Sequence, residues 1–146
     1  NQIQNYRKKM SGPIMDRIDI QISVPSVDLN KVNFDSQQNR AESSATIKKR
    51  VLMARQKQEK RFAKVETMHC NADMKNKQVR QLVGLNQKAE WLLKTAADKF
   101  AMSARTYFRV IKVGRTIADL DASQEILEKH IAEALQYRIR GEVEDQ

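Results

Sequence analysis

SARTYFRVIKVGRTIADL, residues 103–120, has the clearest periodicity in the chain. Tyr107, Val110, Ile111, Gly114, Ile117 and Ala118 recur at helical spacing and form one apolar stripe. Arg105, Arg109, Lys112 and Arg115 fall on roughly the opposite face. Ser103 suits the N-cap, where its hydroxyl would accept from a first-turn amide, and Asp121 and Ser123 punctuate the end. The pattern predicts a helix over 104–120 with one face toward a core and one face positive. Two readings of the positive face stay open. It is either the solvated side of a bundle helix, or it holds Arg105 in the first turn to meet a phosphate, where a helix N-terminus already favours anions.

The neighbouring stretches are also helical by pattern. Residues 126–138 predict a closing helix through Ile131, Ala134 and Leu135, with Tyr137 at its end and Gly141 as a stop. Residues 87–100 predict another, with Ala89, Leu92, Leu93, Ala96, Ala97 and Phe100 inward and Trp91 covering an edge of the core. A short helix is expected over 77–83, then a break over 84–86. Residues 65–76 read as irregular. His69 and Cys70 lie there side by side with no second ligand pair at metal spacing, so no metal site is assigned.

Further upstream, Ser43 suits the cap of a long helix over 44–63, with Ile47, Val51, Ala54, Gln58 and Phe62 on its core face. Lys48, Lys49, Arg50, Arg55, Lys57, Lys60, Arg61 and Lys64 crowd the remainder, and Glu59 is the only acid between Lys48 and Lys64. This is either a solvated lysine-rich face or a surface that tracks phosphates, with an affinity that falls steeply with salt. The DNA-binding candidates are Lys48, Lys49, Arg50, Lys57, Arg61 and Lys64.

The start of the chain breaks the helical pattern. Ile18, Ile20, Ile22 and Val24 alternate with Asp19, Gln21 and Ser23, a half-buried strand by period, and Pro25 ends it. One strand cannot make a sheet. Its partners are expected outside this sequence, and the strand is expected to be loosely held without them. Residues 26–41 read as a linker, and GEVEDQ at residues 141–146 reads as an acidic tail. The chain opens on NQIQNYRKK with neither an initiator methionine nor a signal peptide, and it reads as a piece of something longer.

A length of 146 residues fits one domain, and 27 Lys and Arg against 18 Asp and Glu give a net charge of +9. That balance favours polyanion partners. Aromatic residues at 5% argue against a stacking platform for single strands. The single Cys70 forms no internal disulfide, which points to a reducing, cytoplasmic setting. No apolar run approaches the roughly 20 residues that cross a membrane, so no membrane partner is expected. No phosphate loop or nucleophile motif is present, and His69 and His130 stand in no recognisable triad, so a self-contained active site is not expected.

Two motifs then point one way. SGPIMDRIDI (residues 11–20) lies some 90 residues before SARTYFRVIKVGRTIADL, and HIAEALQYR closes the series at residues 130–138. With ESSATIKKRV and CNADM between them, they resemble the C-terminal part of magnesium-chelatase-like AAA+ ATPases, most of all the ComM/YifB branch associated with bacterial competence and DNA branch migration. The resemblance implies a mainly α fold: a helical lid bundle of about five helices preceded by one orphan core strand. It implies the end of the ATPase core over 1–25, a linker over 26–41, the lid over 42–140 and a tail over 141–146. ATP and magnesium would bind the parent protein through an upstream AAA+ core, in a homo-oligomeric ring (a hexamer), with DNA as the partner acted on.

The resemblance also implies residue roles. Arg17 in DRID aligns with the arginine finger and would reach the nucleotide of a neighbouring subunit. A plain surface ion pair with Asp16 or Asp19 is the alternative. Arg105 aligns with the sensor-2 arginine, which contacts the nucleotide of its own subunit. Gly114 stands where relatives usually carry alanine, Met15 replaces a usual leucine, and Thr46 replaces an acidic residue, which is expected to weaken that helix start. The alternatives are a non-enzymatic, basic helical DNA-binding module and the motor subunit of a metal chelatase.

Overall fold

A computed structural model describes residues 17–22, 24, 26 and 42–139. Residues 42–139 form a mainly α bundle with five α-helices among the described residues. They are α1 (Ser44–Phe62), α2 (Asn76–Leu82), α3 (Gln87–Lys99), α4 (Ala104–Leu120) and α5 (Glu128–Ile139), with a 3-10 turn at Asn71–Asp73. Three starts follow from local capping. Ser43 Oγ accepts from Thr46 N, Asn86 Oδ1 from Ala89 N, and Ser103 Oγ from Thr106 N. Thr46 does not leave its helix start bare, since its hydroxyl lies 2.9 Å from that of Ser43.

The central helix is α4. It touches α1, α2, α5 and the 3-10 turn, while α3 packs on α5. The stripe predicted for α4 is largely inside: Val110, Ile111, Gly114 and Ala118 are buried, and Tyr107 and Ile117 pack partly. Phe108 joins them, although the stripe omitted it, because α2 covers that side as well. Other large core residues include Phe62, Met74, Val79, Leu93, Ile126 and Ile131. Sharp reversals bracket α4. Ala101 (φ 44°) precedes it, with Met102 N donating to Ala97 O, and Ala122 (φ 58°) follows it, with Ser123 N donating to Ala118 O. Both are left-handed caps of the kind glycine usually fills.

Several expectations are corrected. Residues 17–22 and 24 form a turn, a bend and irregular backbone, with no strand among them. Ile18, Ile20, Ile22 and Val24 are all exposed. The alternating pattern describes side chains, whereas a strand also needs a backbone beside it. Ile47 and Val51 are exposed too, and burial on that face starts at Ala54. Trp91 is 67% exposed and covers no core edge. Ile126 precedes the closing helix and instead makes a parallel bridge with Leu85. The expected linker from residue 27 onward and the tail over 141–146 lie outside the described residues.

Close packing accounts for Gly114. A Cβ there would stand 3.0 Å from Cδ1 of Ile131 and 3.6 Å from Cγ2 of Ile126. Gly114→Val is therefore expected to cost about 1–3 kcal/mol through overpacking. Urea denaturation checks it, and an unchanged midpoint would contradict the packing argument. No helix among the described residues is long and apolar enough to cross a membrane.

Candidate functional site

The first turns of α4 carry Arg105, Thr106 and Arg109, and they place these residues differently. Arg105 is exposed and makes no hydrogen bond or ion pair among the described residues. No acid shares its turn, so the positive end of the helix and the guanidinium add up. The other three cations of α4 are engaged. Arg109 Nη1 approaches Asp19 Oδ1 at 2.7 Å as an ion pair, at an angle that makes no hydrogen bond. Lys112 Nζ donates to Ala72 O at 2.9 Å, and burial pushes its ammonium below the usual lysine range. Arg115 is 2% exposed.

Arg115 and Arg61 overturn the expectation that the basic faces of α4 and α1 are solvent-facing throughout. Both meet Asp119, a buried carboxylate one turn beyond Arg115. Arg61 Nη1 and Nη2 donate to its two oxygens, and Arg115 Nη2 lies 3.0 Å from Oδ1. Asn71 Nδ2 adds a third donor, while Arg115 caps the loop after α4 by donating to Ser123 O and Gln124 O. Arg115 Nε keeps no partner among the described residues. Burial alone would raise the Asp119 carboxyl, but the hydrogen bonds from Arg61 and Asn71 and the charges of Arg115 and Arg61 outweigh it and hold it below the usual range. This cluster ties α1, the 3-10 turn and α4 together.

The segment carrying Arg17 is fastened to the N-terminal half of α4, away from Asp119, and to α5. Arg138 on α5 donates to Ile18 O at 2.7 Å and to Thr106 Oγ1 at 3.3 Å, and Gln21 N donates to Tyr137 O. Arg17 itself is exposed and makes no hydrogen bond or ion pair with Asp19 or any other described residue, while Asp16, the other partner considered for it, lies outside the described residues. A cavity of about 380 Å³ opens between α2 and α4, with apolar walls apart from Arg80, Glu90 and Tyr107. Arg80 also stacks 5.4 Å above the Phe108 ring.

Of the DNA-binding candidates on and just after α1, Lys48, Lys49 and Lys64 are exposed and make no ion pair among the described residues. Arg50 is held by both oxygens of Glu42, Lys57 is half-buried, and Arg61 belongs to the Asp119 cluster. His130 is also integrated. It is 2% exposed, its Nδ1 accepts from Leu127 N to cap α5, and its Nε2 faces Asp121 Oδ2. The sequence signal for that role was only its place in the first turn of a helix.

A family model described as "Magnesium chelatase, subunit ChlI C-terminal" matches residues 41–138. The chain belongs to the magnesium chelatase family. A second model of that family, "Magnesium chelatase, subunit ChlI", matches residues 1–32 and so covers Arg17. The "Competence protein ComM" of Haemophilus influenzae is 39% identical over 94% of this chain. The "Uncharacterized protein YifB" of Escherichia coli is 35% identical, and one of Salmonella typhimurium 34%, over the same share. The chain spans 26% of the length of each of these relatives. The two magnesium chelatase matches together cover both Arg17 and Arg105.

Proposed function

We propose that this chain is the lid portion of a ring-forming AAA+ ATPase that works on DNA, with Arg105 contacting the nucleotide of its own subunit and Arg17 that of its neighbour. The observation that carries the reading is the state of the cations on α4: Arg109, Lys112 and Arg115 are engaged, and Arg105 at the N-terminus is left for an anion. That chemistry fits one end of a nucleotide phosphate. Magnesium enters this reading only through the parent protein. The magnesium ligands and the phosphate loop belong to the upstream core of the parent. The name of the Haemophilus relative, a competence protein, favours DNA as the object acted on. A reducing, cytoplasmic location fits the same reading.

Turnover by the full-length protein tests it. Arg17→Ala and Arg105→Ala are each expected to lose ATP hydrolysis with the fold intact. Full turnover by both variants would overturn the proposal.

A second reading rests on the exposed Lys48 and Lys49 of α1 and Lys64 just beyond it: a helical module that holds DNA by its phosphates. It predicts binding of duplex DNA by this chain alone, with log affinity falling linearly against log salt. Arg61→Ala should leave that slope unchanged, since Arg61 is committed to Asp119. A titration at about 50 mM salt that shows no binding removes this reading.

A further inference from the structure

The segment 17–22 is held in an unusual way. Its isoleucines do not anchor it, since Ile18, Ile20 and Ile22 are 39%, 52% and 66% exposed. Its described contacts are polar, and they run to α4 and α5. Asp19 pairs with Arg109, the Ile18 carbonyl accepts from Arg138, and the Gln21 amide donates to Tyr137 O. Arg138 reaches across at the same time to Thr106, one residue after Arg105. The charge of Asp19 also acts on the Lys112 ammonium, opposing the effect of its burial. The two contacts nearest Arg17 are one and two residues away. Each residue spans at most about 3.6 Å of chain, so little slack separates them from Arg17.

We infer that Asp19, Arg109 and Arg138 form a clasp that positions Arg17, so that the arginine offered to a neighbouring subunit moves with the helix that carries Arg105. The inference rests on the function proposed above for those two arginines. Asp19, Arg109 and Arg138 are positioning residues here: they act through the backbone beside Arg17 and touch no nucleotide. Half-exposed ion pairs are weak singly, so the clasp opens and closes readily. A change in the tilt of α4 on one nucleotide is then transmitted to the group that serves the next.

Steady-state kinetics of the full-length protein, combined with hydrogen exchange, tests the clasp. Asp19→Asn is expected to lower kcat by about 10- to 100-fold, the scale of a catalytic group displaced by about 1 Å, with KM for ATP unchanged. The Gln21 amide should exchange faster in that variant, while the amides of Val110 and Ile111 stay protected. The reversed pair, Asp19→Arg with Arg109→Asp, should recover most of the lost turnover. Wild-type kcat in Asp19→Asn beside an inactive Arg17→Ala overturns the clasp and leaves the arginine assignment standing. Full turnover in Arg17→Ala overturns the assignment, and the clasp with it.

Discussion

In the full-length protein, Arg17→Ala is expected to lower ATP turnover by about 10³-fold or more, the effect of removing a guanidinium supplied in trans from a phosphoryl-transfer site. Two features make this a clean test. Arg17 is exposed and has no partner among the described residues, so its removal leaves the bundle of residues 42–139 untouched. Its neighbours Ile18 and Asp19 keep their own contacts to Arg138 and Arg109. Nucleotide affinity within the mutated subunit should therefore hold while kcat falls, because the missing charge belongs to the next site. Arg17→Lys restores a charge without the planar fork and should recover only part of the rate. Mixing mutant and wild-type subunits separates trans from cis action: a ring that mixes them should lose activity at the site next to each mutant. Turnover by Arg17→Ala within roughly threefold of wild type would sink the trans role.

Asp119→Ala is expected to destabilise the bundle by about 3–5 kcal/mol, the usual consequence of removing one partner from a buried charge cluster. The side chain of Asp119 is fully buried, and its loss leaves Arg115, which is itself 2% exposed, without its countercharge. Arg61 and Asn71 each lose an acceptor in the same step, and Asn71 Nδ2 keeps only Thr116 as its acceptor among the described residues. The cluster joins α1 to α4, so the damage is not local. The pH dependence follows from the depressed carboxyl. Its folded value lies below its unfolded value, so its contribution is complete above the ordinary aspartate range near 3.9 and is lost as pH falls through the folded value. Asp121, held down by Lys129 and His130, acts in the same direction. Denaturant melts at neutral pH and at about pH 3 should show the wild type losing stability in acid, with Asp119→Asn already weakened and less sensitive to the change. Equal midpoints for wild type and Asp119→Asn at neutral pH would refute the role of the cluster.

What could be read from the sequence alone was what is local. Ser43 and Ser103 cap helices through contacts three residues away, so residue type and position were enough to place the starts of α1 and α4. The stripe through Val110, Ile111, Gly114 and Ala118 gave the core face of α4, and the DRID and SARTYFRV motifs pointed to the family. Tertiary structure alone decided which charges stay in water. A helical pattern assigns every arginine to solvent, because it cannot see a carboxylate arriving from another element. Arg61 and Asp119 lie 58 positions apart, and Asn71 reaches Thr116 across 45. The same limit explains the start of the chain. Alternating isoleucines announce a strand, but only a neighbouring backbone makes one. Among the described residues, what lies beside that segment is Arg138, 120 positions away, together with Arg109 and Tyr137. Local chemistry therefore determined the helices and their inward faces, while long-range pairing of charge determined which basic residues were left for an anion to find.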